Sequence, residues 1–517
     1  MSVNALIFTE VTQHQFAYAR AIGAYRIATE IRAAGYTCQV IDFFTNFNEE
    51  EMDKIITSFI GEDTLIVGFS TTFFKYIDEK LDTCQMMMTG KKTQSPGGQL
   101  ITDIYPYHQD KMQNWINRMK KINPELKIVV GGSKLRYLTG PCDTFAIGPA
   151  DQAIVEYMKF LEGKNPFFQF KRLNDKQIMF YGDKNSNRFN FQDSKVEWHE
   201  TDHLMHGEAV PIEIARGCIF KCKFCSYPMN GKKKLDFIKN DTVLKDEFLR
   251  NYYEYGITRY TYCDDTHNDS VEKLERLHKI VTSLPFELEY AAYLRHDLIY
   301  AHKETAALLR ESGLRSAIFG IETLNHESGK AIGKGLHPDK TKELLYWLRE
   351  DIWKNEVAMT SGFIVGLPYD TPTTVMEWAT WLLDPSCPID ALNFEPLFIS
   401  GSGGGGLIWR SEFELNAEKH GYVLGELGYW KNEHFTFDSA VTFATALTNR
   451  SVRKDRARMA GFPLIMLSNL GYMPKDLVGL SKTAALVQFQ ERRPAYINQY
   501  KEKLLKQIGN EIQIHPI

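Results

Sequence analysis

The residues best suited to chemistry in this 517-residue chain are three thiols, Cys218, Cys222 and Cys225, spaced C-x-x-x-C-x-x-C. Eight cysteines placed independently along the chain would give that triplet only about 0.002 times by chance. The apolar, β-branched run Val210–Ile214 predicts a buried strand, and Gly217 ends it, so the thiols fall on the loop just beyond. Three kinds of site use such a loop. A structural zinc site closes with four ligands, and no further Cys or His follows within twenty residues of Cys225. A disulfide uses only two thiols. An iron–sulfur cubane uses three and leaves one iron with an open position for a substrate or cofactor, and it fits best. Lys221, Lys223 and the run Lys232–Lys234 favour thiolates and offset cluster charge, weakly where they are exposed.

Five further strand-then-helix units follow the cysteine strand, at Arg259–Cys263, Leu288–Leu294, Arg315–Ile321, Ala358–Val365 and Ala391–Ile399. Six parallel strands over residues 206–400 predict a partial (β/α)6 barrel of the TIM type, whose chemistry gathers at the carboxyl ends of the strands. Asp264 and Asp265 stand at one such end, where adjacent acids suit a metal or, as the favoured reading, an ammonium group. Arg295 ends the next strand and suits a carboxylate or a structural ion pair. Glu322 and Thr323 follow the fourth strand, ahead of Lys330 and Lys334. Gly366-Leu-Pro368 follows the fifth; it reads as a turn, and its glycine permits close backbone approach.

Upstream, residues 1–165 alternate short apolar strands with helical stretches: Asn4–Phe8, Thr37–Asp42, Thr64–Ser70, Lys127–Val130 and Thr144–Ile147, with a first helix at Phe16–Ala34. That alternation predicts a doubly wound, Rossmann-like parallel sheet, an α/β domain. Ligands of such sheets sit at strand ends, here Thr9–Thr12, Ser70-Thr71-Thr72 and Gly131-Gly132-Ser133. No G-x-G-x-x-G follows the first strand, which speaks against a dinucleotide. An insertion from Tyr76 to roughly Asp110 separates the third strand from its helix and reads as a loop over the pocket. Residues 166–205 predict a hairpin connector, and residues 401–517 a C-terminal helical cap behind the glycine-rich hinge at 401–406. The basic cluster Arg450, Arg453, Lys454, Arg456 and Arg458 reads as a solvated helix face.

With Phe224 as the aromatic, C-x-x-x-C-x-aromatic-C resembles the cluster loop of radical S-adenosylmethionine (radical SAM) enzymes. The resemblance implies a 4Fe-4S cluster on Cys218, Cys222 and Cys225, with SAM chelating the fourth iron and cleaved to a 5'-deoxyadenosyl radical. It also implies that Asp264 and Asp265 receive the SAM amino group, that Arg295 meets its carboxylate, that Glu322 and Thr323 correspond to the family's Gly-Ile-Glu-Ser segment, and that Gly366 and Pro368 lie along the adenine. The pieces around Ser70, Thr71, Gly131 and Gly132, and Phe145–Gly148, are similar to the cobalamin-binding domain of class B radical SAM enzymes. The chain departs from that class in having Gly148-Pro-Ala-Asp151 where Gly-Glu-Gly-Glu is usual, and it lacks Asp-x-His-x-x-Gly; His14 is a further candidate axial ligand. The implied activity is cobalamin-dependent methylation of an unactivated carbon, with an electron donor such as flavodoxin or ferredoxin and a small-molecule or peptide substrate. The rivals are a radical SAM oxidoreductase, cyclase or mutase without cobalamin and, remotely, a non-catalytic metal-binding scaffold.

Composition narrows the partners. A net charge of -4 gives no general pull toward nucleic acid or anionic membrane. No run of about eighteen apolar residues is present, and the first residues lack the basic and apolar regions of a signal peptide, so a cytoplasmic protein is expected. The scattered remaining cysteines fit a reducing compartment.

Overall fold

A computed structural model describes residues 2–10, 20–71, 109–132, 135, 140–186, 189–226, 237–354, 356–399, 410–425, 429–453 and 482–509. Thr12, His14, residues 16–19, Thr72, Ser133, most of the insertion, Lys232–Lys234, the glycine hinge and residues 454–458 of the basic cluster lie outside them.

Among the described residues two parallel sheets carry the fold. The first contains β1 (Ala5–Phe8), β2 (Cys38–Ile41), β3 (Ile66–Ser70), β4 (Lys127–Gly131), β5 (Thr144–Ile147), β6 (Lys171–Arg172) and β7 (Ile178–Tyr181), in the order β2-β1-β3-β4-β5-β7-β6. Strands β1, β2 and β5 are buried throughout, as parallel strands covered on both faces must be. The cover comes from α1 (Ile22–Ala33), α2 (Glu49–Phe59), α3 (Gln109–Ile122) and α4 (Ala153–Leu161). Asn48 and Glu51 form a reciprocal capping box at the start of α2. The hairpin expected as a mere connector extends this sheet: β7 runs parallel to β5, and β6 pairs back on it.

The second sheet holds β8 (Ala209–Ile212), β9 (Arg259–Tyr262), β10 (Glu289–Leu294), β11 (Leu314–Glu322), β12 (Ala358–Val365) and β13 (Ala391–Pro396), paired in sequence order and all parallel. This is the expected open barrel wall. Residues facing its helices are aromatic: Tyr262 stacks on Tyr290 with centroids 4.0 Å apart, Phe319 lies parallel to Trp353, and Phe363 stacks with Trp378 and Phe394. On the same outer layer the buried Asp390 pairs with Arg349 and accepts a hydrogen bond from the Met359 amide at 2.7 Å.

The expected C-terminal cap divides in two. Helix α5 (Phe437–Arg453) packs on β13 and β12, where the Thr448 hydroxyl is hydrogen-bonded to both backbone groups of Phe394. Helix α6 (Lys482–Gly509) instead returns to the first sheet: Tyr500 Oη accepts from the Asp42 amide at 2.9 Å, and Lys501 pairs with Glu51 at 2.7 Å. Residues 200–208 are clamped between the parts. Arg20 pairs with Glu208 at 2.6 Å and donates to the carbonyls of Asp202 and His203, while Arg32 pairs with Asp202 at 2.8 Å. These guanidinium groups are buried, and each sits in a fully hydrogen-bonded setting, which is what a buried charge requires.

Candidate active site at the barrel mouth

The cysteine loop is fixed backbone group by backbone group. Past β8, the amides of Ile214 and Ala215 both donate to Asp264 Oδ1 at 2.9 Å. The Arg216 amide donates to Phe237 O, and Gly217 turns the chain at φ +105°. The Cys225 amide then closes a turn on Cys222 O, and the Lys223 amide is held by Ile332 O at 3.1 Å. None of the seven described cysteines is in a disulfide, so the loop is not a disulfide. Cys218 is buried; Cys222 and Cys225 are partly exposed. Burial pushes the Cys218 thiol up from its ordinary range, against the Thr266 hydroxyl 3.4 Å from its sulfur.

Asp264 is put to different use from the ammonium binding expected of it. It is buried; one oxygen holds the two amides of the cysteine strand, and the other faces His267 and Lys273, each at 3.3 Å. Burial raises its carboxyl, and Lys273 and His267 outweigh this and hold it below the usual range. Lys273 also pairs with Asp269 at 2.8 Å and donates to Thr266 O at 3.1 Å, so one buried ammonium organises the ends of β8 and β9. Asp265 is the partly exposed member of the pair and lies within electrostatic range of Cys218.

Arg295 takes up the structural ion pair, one of the two partners its position suits. Its Nη1 lies 3.3 Å from Cys222 Sγ, its other edge pairs with Asp297 at 3.0 and 2.5 Å, and its plane covers Phe220 at 4.0 Å from the ring centroid. Glu322 ends β11 at a bulge, in the left-handed region at φ +70°, and pairs with Lys334 at 3.0 Å. Lys334 faces the Phe224 ring at 5.9 Å. A side chain at Gly320 would fall 2.7 Å from the tips of both Glu322 and Lys334, which would have to shift. Thr323 is buried and accepts from the Asn325 amide.

Gly366 has φ +92°, and the space beside its α-carbon is filled by the Trp430 ring, not left open for an adenine on that side. Its carbonyl accepts from Tyr422 Oη at 2.8 Å. Pro368 O accepts from Ser328 Oγ at 2.7 Å, and Ser328 also donates to the buried Asp370. Ser70 and Gly131 are register partners at the ends of β3 and β4, and Thr71 closes onto Gly131 O through its amide at 2.7 Å. Gly132 follows at φ +127°. These four residues form a separate station on the first sheet. The order β2-β1-β3-β4-β5 puts the sheet's switch point between β1 and β3, so Thr71 lies where open α/β sheets bind ligands.

Two stations are joined by a residue not singled out from the sequence. Arg216, two positions before Cys218, chelates Asp151 at the start of α4 with contacts of 2.8 and 3.1 Å, and pairs with Glu213 at 2.7 Å. The other residue missed was Lys273, although its place one position before Leu274, on the buried side of an amphipathic helix, was a signal.

The donor set suits a cubane by type: three thiols outside any disulfide on a braced loop, with a hydroxyl at one sulfur and a guanidinium at another. As they stand, no three His, Cys, Asp or Glu side chains among the described residues, these thiols included, are arranged to hold a single metal ion. A parallel barrel with such a loop at the carboxyl end of its first strand defines a barrel protein built for an iron–sulfur centre.

Residues 212–382 match the Radical SAM superfamily model, so the segment that carries the cysteine loop and most of the barrel is a radical SAM domain. An uncharacterized methyltransferase of Pyrococcus horikoshii is 25% identical over 167 residues, 32% of this chain and 35% of that protein. The anaerobic magnesium-protoporphyrin IX monomethyl ester cyclase of Cereibacter sphaeroides is 25% identical over 188 residues, 35% of this chain and 29% of that protein. The matched segments thus span about a third of each curated relative. Among solved structures, the radical SAM methyltransferase TsrM of Kitasatospora setae, with cobalamin and a [4Fe-4S] cluster bound, aligns at TM-score 0.55 and 13% identity over 81% of this chain and 78% of that one. The cobalamin-dependent radical enzyme OxsB aligns at TM-score 0.50 and 13% identity over 81% of this chain and 56% of that one. Coverage of that extent carries the shared fold beyond the barrel into the first sheet. Among the described residues no helix is long and apolar enough to cross a membrane.

Proposed function

We propose that the protein is a radical SAM enzyme in which Cys218, Cys222 and Cys225 hold a [4Fe-4S] cluster whose remaining iron takes S-adenosylmethionine. The observation that carries the reading is the set of three thiols, none in a disulfide, on the loop after β8, inside the segment matched by the superfamily model. With that cluster bound, the site gains one-electron reductive cleavage of a sulfonium. The chain's own residues supply placement. Asp265 is proposed for the SAM ammonium, Glu322 and Thr323 for its polar edge, Phe224 as an apolar wall, and the Gly366–Pro368 turn for the far side of the cofactor.

Cobalamin is proposed at Ser70, Thr71, Gly131 and Gly132, supported by the shared two-sheet fold and by the position of Thr71 beside the switch point. The reaction is then methyl transfer to an unactivated carbon of a small-molecule or peptide substrate, with electrons from a donor such as flavodoxin or ferredoxin. Free cysteines support a reducing, cytoplasmic setting. A second reading keeps the radical chemistry without cobalamin. The Gly148–Asp151 loop favours it: Asp151 is engaged by Arg216 and Arg26, and Gly182 is pressed against Pro149 O. Purification in hydroxocobalamin decides between them. Retention of the cofactor with methylated product supports the first; 5'-deoxyadenosine released from a cobalamin-free enzyme leaves only the second.

A further inference from the structure

We infer that Arg295 is a positioning residue that sets the reduction potential of the cluster, through its contact with Cys222, and does not grip the SAM carboxylate. The inference rests on the assignment of Cys222 as a cluster ligand.

The geometry comes first. A guanidinium has five N–H groups in a fixed fork, and most of this one is already committed. Nε and Nη2 of Arg295 lie 3.0 and 2.5 Å from the two oxygens of Asp297, and Nη2 also reaches Gly333 O at 3.4 Å. Nη1 is left at the opposite corner, 3.3 Å from Cys222 Sγ. The plane is held from its face by Phe220, at 4.0 Å. The backbone is fixed as well: Asn268 accepts from the Arg295 amide and donates to its carbonyl, both at 2.8 Å. Arg295 is 6% exposed. A fork gripped on two sides and turned toward a sulfur is poorly placed to turn toward a carboxylate as well.

The electrostatics follow. Asp297 balances the charge of Arg295 from the far side, so the fork's remaining hydrogen-bonding edge is the one that meets the thiolate. A hydrogen bond and a positive charge at a ligating sulfur favour the more negative, reduced state of an iron–sulfur centre and so raise its potential. The Thr266 hydroxyl, 3.4 Å from Cys218 Sγ, stands at a second sulfur without a charge.

The test uses the full chain, reconstituted anaerobically, with Arg295→Gln and Arg295→Lys beside the wild type. Iron and sulfide are counted, and the EPR signal of the reduced cluster is titrated against dye mediators in the absence of SAM. Arg295→Gln is expected to lower the ratio of reduced to oxidised cluster about tenfold at a fixed poise, a shift of about 59 mV for one electron. Arg295→Lys keeps the charge and is expected to recover more than half of the shift. Unchanged midpoints in both variants, with the change appearing only in the apparent affinity for SAM, would overturn the inference and return Arg295 to the carboxylate. If Arg295→Gln takes up no iron, Arg295→Met, which removes the charge and keeps the apolar stem, is titrated in its place: a lowered midpoint supports the inference and a midpoint equal to that of the wild type overturns it. A wild type that takes up no cluster would instead strike at the iron–sulfur assignment itself.

Discussion

Arg216 chelates Asp151, with Nη1 and Nη2 2.8 and 3.1 Å from its two oxygens, and so ties the first sheet to the cysteine loop two residues before Cys218. Phe189 lies between this guanidinium and that of Arg26, each 5.5 Å from its ring. Burial raises the Asp151 carboxyl, and Arg216 and Arg26 overcome this and keep it below the ordinary carboxylate range. Asp151→Ala would leave two buried guanidinium groups short of a partner, a loss of about 3–5 kcal/mol for a buried pair. Denaturant unfolding should show that loss. A variant as stable as the wild type would mean that the pair does not join the two sheets.

Gly366 is needed for reasons of space. Alanine there would meet the Trp430 ring and hold a positive φ unfavourable to side chains, so Gly366→Ala should cost about 2–4 kcal/mol. In a Trp430→Leu background Gly366→Ala should cost less than it does in the wild type, because the crowding term is relieved and the backbone term remains. Thermal melts of both single variants and the double variant separate these terms, and an equal cost of Gly366→Ala in both backgrounds would rule out the crowding.

Asp370 gives a pH signature. Burial pushes its carboxyl up to about 7, against the hydrogen bonds it accepts from Ser328 and the Leu367 amide. Its unfolded value is about 3.9. Between about pH 4 and about pH 7 the folded chain therefore holds a proton here that the unfolded chain has lost, and this contribution to stability falls as pH rises. Asp370→Asn should remove that fall, so the variant gains on the wild type between pH 5 and pH 8. Melting curves at the two values check it, and a constant difference between the proteins would refute the assignment.

Glu322 and Lys334 form the only brace the Phe224 side of the loop receives from β11 among the contacts described above. Glu322→Gln keeps the shape and removes the charge, and it is expected to raise the KM for SAM several-fold with little change in melting temperature. An unchanged KM would remove Glu322 from the cofactor site.

Much of this architecture was legible because the chain repeats one physical pattern. Strands such as Ala5–Phe8 and Ala209–Ile212 are apolar and buried on both faces, and each is followed by a helix, so the strands and the parallel sheets they form came through. The cysteine triplet was legible because its spacing is rare and local. What was not legible depended on contacts distant in sequence. The partners of Asp264 and Arg295 were not legible because polarity at a strand end does not reveal that a carboxylate is taken up by the amides of Ile214 and Ala215, or that a guanidinium is gripped by Asp297. The return of α6 to the first sheet rests on Tyr500 meeting Asp42, 458 residues away. The hairpin β6–β7 read as a connector because nothing in its own residues marks which sheet edge it joins.

The most direct test is to reconstitute the full chain anaerobically with iron and sulfide, reduce it with SAM present, and measure bound metal and released 5'-deoxyadenosine in the wild type and in Cys222→Ala. The wild type should bind about four iron and four sulfide per chain and form 5'-deoxyadenosine, and the variant should form none. A colourless, zinc-loaded protein, or equal 5'-deoxyadenosine from both, would contradict this.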